Sequence, residues 1–164
     1  MHNEWALTYE TYLYGLLLFQ EKDFDNSKKK IEKALSYFRK AGSRWGTEGA
    51  LIGYGNLLIA MKDFKGAKDC LQEAHAIAIY LNDKFGIVTI LESFAYLANE
   101  SGNEFDARKL LVTANKIREE LQTPIRPVDK KMFGESFGEL INADEESLSV
   151  EEAMKLGMGI KVGV

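Results

Sequence analysis

Proline is missing from the first 123 of the 164 residues, and the chain holds only two, Pro124 and Pro127. Proline breaks the i→i−4 hydrogen-bond ladder, so its absence permits long unbroken helices. Cys70 is the single cysteine, which excludes an internal disulfide framework and gives no sign of an oxidising compartment. One cysteine and two histidines leave little for a zinc site. Long apolar runs are lacking too: the longest, Ala76 to Leu81, is far short of what a bilayer span requires. Met1-His2-Asn3-Glu4-Trp5 has no basic stretch leading into an apolar core, so no signal peptide is read there, and a soluble cytoplasmic chain is expected. Neither charge sign dominates. Lys+Arg number 21 and Asp+Glu 25, a net charge of −4 with no global pull toward nucleic acid. Apolar residues are plentiful at 46%, too many for a disordered chain and enough for one globular unit.

Shifting the sequence by 40 residues aligns it with itself twice, without a gap. Trp5, Trp45 and Phe85 coincide, as do Tyr14, Tyr54 and Phe94, and then Gly15, Gly55 and Ala95. Leu17, Leu57 and Leu97 follow, then Asp23, Asp63 and Asn103. Ile31, Leu71 and Leu111 agree in type, and Ala34, Ala74 and Ala114 in identity. Seven ordered columns are more than chance supplies, and they divide residues 1–123 into repeats 4–43, 44–83 and 84–123.

Each repeat reads as two helices. Leu51, Tyr54, Gly55 and Leu58 fall on one helical face, and Lys62-Asp63-Phe64 signals a turn. Ala67, Cys70, Leu71, Ala74, Ala78 and Leu81 form the stripe of the next helix, which Asn82-Asp83 breaks. Asp23 is placed to cap the second helix of the first pair, and Gly102 to end the first helix of the third. Small residues at 15, 55 and 95, and again 12 positions on at 27, 67 and 107, let the two helix axes approach closely. One pair cannot bury its apolar face alone, so the pairs are expected to stack.

The series Gly15-Ser27-Ile31-Ala34, Gly55-Ala67-Leu71-Ala74 and Ala95-Ala107-Leu111-Ala114 resembles the tetratricopeptide repeat over about three quarters of the chain. The period of 40 exceeds the family's usual 34, and Arg39, Ile79 and Glu119 stand where that family has a proline. The resemblance implies an all-α, right-handed α-α superhelix of three helix pairs. Residues 107–121 with Pro124 and Pro127, and Leu148-Ser149-Val150-Glu151-Glu152-Ala153, are similar to the C-terminal repeat region of LuxR-type ATP-dependent transcription regulators and related predicted bacterial ATPases. In those proteins an ATPase region precedes the repeats. No phosphate-binding Gly-x-x-x-x-Gly-Lys-Ser/Thr occurs in this sequence.

Beyond the repeats, 124–158 reads as C-terminal capping helices. One runs along Val128, Met132, Phe133, Phe137, Leu140 and Ile141, and a short one starts at Ser149 with Glu152 as its capping-box partner. The Gly-rich end from Gly157, and above all 159–164, is expected to be a frayed, flexible tail.

By the tetratricopeptide resemblance, the first helices line a concave groove. Its positions are Tyr9, Tyr12, Leu16, Phe19 and Gln20, then Gly49, Ile52, Asn56, Ile59 and Ala60, then Thr89, Glu92, Tyr96, Asn99 and Glu100. Aromatics beside amides suit an extended peptide or a helix. An equal alternative has Tyr9, Tyr12, Leu16 and Phe19 packing on an upstream repeat or a second protomer. The groove positions carry no Lys or Arg, so a basic clamp for a carboxylate tail is absent from them. Residues 22–44 carry eight basic side chains against three acids, and 135–152 seven acids and no base. Such runs are mostly solvated faces, and nucleic acid is not the expected partner. His75 and Cys70 lie on different helix faces, and no nucleophile–base set, metal-ligand spacing or cofactor loop can be assembled. The expectation is therefore a protein–protein interaction module with no catalytic activity and no cofactor, the scaffold or sensor part of a bacterial regulator. The alternatives are a homodimer through the first helix, or a small-molecule effector domain.

Overall fold

The computed structural model describes residues 3–125 and 146–162. Among them every regular element is an α-helix, as the sequence predicts: α1 (Glu4–Gln20), α2 (Phe24–Lys40), α3 (Arg44–Ala60), α4 (Phe64–Leu81), α5 (Lys84–Glu100), α6 (Glu104–Leu121) and α7 (Val150–Gly159). The starts of α1, α3 and α5 lie 40 residues apart, and so do those of α2, α4 and α6. The helix expected over 128–141 lies outside the described residues.

A finer period of 20 sits inside that repeat. Asn3, Asp23, Ser43, Asp63, Asp83 and Asn103 each accept, through a side-chain oxygen, the backbone N–H three residues on, at 2.9–3.3 Å. Each satisfies one donor that the first helical turn would otherwise leave orphaned. The residue before each later cap is left-handed: Lys22, Gly42, Lys62, Asn82 and Gly102, then Gln122, have φ between 52° and 86°. These residues close Schellman motifs. Lys22 N–H bonds to Phe19 O while Asp23 N–H bonds to Leu18 O, and the same pair recurs at 42/43, 62/63, 82/83, 102/103 and 122/123. In the first five junctions the residue that finishes one helix is thus also the cap that starts the next, which fixes each connection to the same short turn.

Two compact units divide after Gly86, inside α5. In the first, α1 packs on α2, α2 on α3, α3 on α4, and α1 also meets α3. The small residues of the sequence repeat sit at the crossings. A Cβ at Gly15 would lie 2.8 Å from Ile31, and one at Gly55 3.1 Å from Leu71. The Ser27 hydroxyl donates to Gly15 O at 2.8 Å. Ile31, Leu71, Ala34 and Ala74 are fully buried, and each of the two large ones contributes about 1.5–3 kcal/mol of transfer free energy. Where α2 meets α3, the Phe38 ring occupies the space a side chain at Gly46 would need, 2.6 Å from that ideal Cβ.

In the second unit α7 packs on α6. Leu148 N–H bonds to Thr113 Oγ1 at 3.0 Å, and Phe94 lies 2.7 Å from an ideal Cβ at Gly157. Ser149 and Glu152 form the expected capping box. The fraying expected from Gly157 onward does not hold for 157–160. Gly157 and Gly159 are helical, and Ile160 is only 2% exposed. A glycine weakens a helix by about 1 kcal/mol, and burial of its neighbours offsets that here.

Candidate functional site

In the first unit Tyr12, Phe19, Ile52, Asn56 and Ile59 are all buried. For Tyr12 the cause is Gly53 of α3. Tyr12 Oη lies 2.7 Å, and Leu16 2.9 Å, from an ideal Cβ at Gly53, and Tyr12 donates its hydroxyl proton to Gly49 O at 2.7 Å. Side chains of α1 thus fold over α3 at Gly53. Phe19 meets the Phe24 ring at 6.0 Å, within its own helix pair. Of the first group, Tyr9 and Leu16 are half-buried and Gln20 is exposed.

In the second unit Glu92 is buried and paired with Arg118. Arg118 Nη2 lies 2.7 Å from Glu92 Oε2, Arg118 Nε bonds to Oε1, and Nη1 donates to Thr123 O at 3.0 Å. A carboxylate satisfied in this way holds a structure together rather than waiting for a ligand. Tyr96 is buried, and burial with the nearby Glu100 charge pushes its hydroxyl pKa up to about 12. Asn99 is half-buried.

The surface that is uncovered lies elsewhere. Leu7, Leu13, Tyr14 and Leu17, all on α1, are 45–51% exposed. Tyr14 and Leu17 stand in the columns that revealed the repeat. Their exposure follows from a comparison the sequence already allowed, since Leu13 and Leu17 of α1 correspond to Gly53 and Leu57 of α3. Beside them is an aromatic cluster at the helix starts. Trp5 stacks on Tyr9 (5.4 Å) and Trp45 (5.9 Å), and its Nε1 donates to Ser43 Oγ at 3.1 Å.

Two buried polar groups on α3 lack partners among the described residues: both oxygens of Glu48, and Asn56 Oδ1. Glu48 is 2% exposed, and a Cβ at Gly86 would overlap its Oε1. Burial, then the like charge of Asp83, raises its carboxyl pKa to about 7. Nothing in the sequence singled this residue out.

Nucleophilic chemistry finds no support at Cys70, whose thiol is pushed up to about 11 by burial and the nearby Glu73 carboxylate. Burial lowers the pKa of His75. Among the described residues no cluster of His, Cys, Asp and Glu suits a metal ion, and no helix is long and apolar enough to cross a membrane. Compared with known proteins, the chain matches no family model, no curated protein and no solved structure.

Proposed function

We propose that this chain is a non-catalytic helical-repeat module of the tetratricopeptide kind, which docks a helix of another protein on the outward face of α1 as the scaffold or sensor part of a bacterial cytoplasmic regulator. The observation that carries this reading is the exposure of Leu7, Leu13, Tyr14 and Leu17, taken with the repeat. On α3, Gly46 meets Phe38, Gly53 meets Tyr12, and Tyr54 donates to Glu32 at 2.5 Å, so all three face the preceding helix pair. Their counterparts 40 residues earlier are Ala6, Leu13 and Tyr14. The side of α3 that a preceding pair covers is the side of α1 that stands uncovered. A helix apolar on opposite faces is expected to be buried on both.

The charge on α1 narrows the occupant. The helix carries Glu4 and Glu10 and no basic residue. Glu10 lies two residues from the midpoint of α1, so a two-fold α1–α1 contact brings two like carboxylates within a turn of each other. A partner helix with an apolar stripe and a Lys or Arg opposite Glu10 fits better.

The test places a photo-crosslinking residue at Leu13 and, as a control, at the exposed Gln72 of α4, and measures mass by light scattering. A monomer that crosslinks to one defined protein from Leu13, not from Gln72, and loses the product with Leu17→Glu supports the reading. A dimer that Leu17→Glu dissociates replaces it with self-association. Equal labelling from Leu13 and Gln72 refutes it.

A further inference from the structure

A cleft of about 680 Å³ opens in the first unit where the α2–α3 turn faces the end of α4. It is open to solvent, with Tyr80 and Trp45 more than half exposed, so recognition here rests on the groups that line it. Its walls combine Arg39, Arg44, Trp45, Ile77, Tyr80 and Leu81. The Arg44 guanidinium lies 3.7 Å from the centroid of the Tyr80 ring. No carboxylate among the described residues pairs with it. Stacking holds the guanidinium plane while leaving its N–H edges free, the arrangement in which arginine takes a carboxylate in two parallel hydrogen bonds. Trp45 is 52% exposed and is propped from behind by Trp5 and Tyr9.

Neither member of the stacked pair is explained by the fold. Arg44 occupies the first turn of α3, where a cation opposes the helix dipole. In the other repeats its place is taken by Glu4 and Lys84, and that of Tyr80 by Lys40 and Glu120. Repeat packing therefore requires neither.

We propose that this cleft binds a small organic monoanion, a carboxylate carried on a flat aromatic body. Arg44 holds the carboxylate, and the ring lies against Trp45 and the apolar wall of Ile77 and Leu81. The charge balance selects one negative charge. Arg39 Nη2 is already engaged by both oxygens of Glu73, at 2.6 and 2.8 Å, which leaves one unpaired guanidinium. A phosphate dianion meets that single cation and the Glu73 carboxylate besides. Its anchor, Arg44 stacked on Tyr80, belongs to α3 and α4 and not to α1, so variants of that pair test the cleft separately from partner docking.

Trp5 and Trp45 are the only tryptophans in the chain, so intrinsic fluorescence reports on this cleft. The experiment titrates the full chain with phenylacetate, benzyl alcohol and phenyl phosphate. The expected result is saturable quenching by phenylacetate at least about tenfold tighter than by benzyl alcohol, as loss of a charge-assisted hydrogen bond implies. Phenyl phosphate binds more weakly than phenylacetate. Arg44→Gln weakens phenylacetate by a similar factor with an unchanged circular dichroism melt, and Tyr80→Leu, which removes the stack from the other side, weakens it too. The proposal is overturned by equal quenching with the neutral alcohol, by undiminished binding in Arg44→Gln, by tighter binding of phenyl phosphate, or by no saturation up to about 20 mM.

Discussion

Glu48 makes the stability of the first unit depend on pH with an unusual sign. Its carboxyl is 2% exposed, both oxygens lack a hydrogen-bond donor, and the nearest charge acting on it is that of Asp83. Folding raises its pKa from 4.5 to about 7. Below pH 4.5 the group is protonated in both states and contributes no pH dependence. Between 4.5 and 7 the unfolded chain releases the proton while the folded chain keeps it. Stability therefore falls by about 1.4 kcal/mol per pH unit across that window. Above pH 7 both states are ionised and the loss levels off at about 3 kcal/mol. Glu48→Gln removes the titration. The two proteins are to be unfolded in urea at intervals from pH 4.5 to 8.5, followed by tryptophan fluorescence, because Trp5 and Trp45 lie in the same compact unit as Glu48. Gln carries its own constant offset, so the quantity to plot is the difference between variant and wild type against pH. That difference is expected to rise in favour of the variant by about 3 kcal/mol between pH 4.5 and 8. A flat difference, or a rise complete below pH 5, refutes the argument that the carboxyl is buried without a donor.

Other positions give sharp expectations. Lys22 is exposed, and its left-handed φ of 62° costs a non-glycine residue about 1–2 kcal/mol. Lys22→Gly should therefore stabilise the fold by about 0.5–1 kcal/mol once the extra freedom of the unfolded glycine is subtracted, read as a higher urea midpoint. Gly46→Ala drives a methyl into the Phe38 ring, whose nearest atom is 2.6 Å from the ideal Cβ. Overpacking of this kind costs about 1–3 kcal/mol, readable as a lower thermal midpoint. Glu92→Gln removes the carboxylate charge paired with the buried Arg118 guanidinium, with an expected loss of about 3–5 kcal/mol in denaturant unfolding. The double change Glu92→Leu with Arg118→Met should recover much of it.

The helix pairs were legible because a 40-residue column needs only residue type, and each column sits at a crossing that the same side chains fill. The 20-residue cap series was just as present, yet only Asp23 was read from it. Its members are Asn, Asp and Ser, which cap alike but align poorly by identity. The left-handed series before it carries the usual Gly or Asn at 42, 82 and 102, and Gly102 was legible for that reason, but Lys22, Lys62 and Gln122 carry no such signature. That conformation is imposed by the Schellman bonds on either side rather than chosen by the residue. Arg44 and Tyr80 are 36 residues apart in sequence and meet because α3 and α4, joined by the turn at 61–63, pack side by side with the start of one at the end of the other.

In the first unit several of the expected groove positions are buried, and at one place a glycine is part of the reason. Gly49 has open space beside it, whereas Gly53, four residues on, does not. In three dimensions a glycine facing a neighbouring helix is a socket, and the sequence of the facing helix decides what fills it. Phe38 fills the socket at Gly46, Tyr12 and Leu16 the one at Gly53, and Phe94 the one at Gly157. These occupants are apolar or, like Tyr12, have their polar atom satisfied. Gly86 is the exception, because its occupant is the carboxyl of Glu48. A methionine there would fill similar space without an ionisable group, so packing alone does not account for a glutamate. At neutral pH the site stands near its titration midpoint, and folding of this unit therefore responds to proton concentration where a leucine- or methionine-filled socket would not.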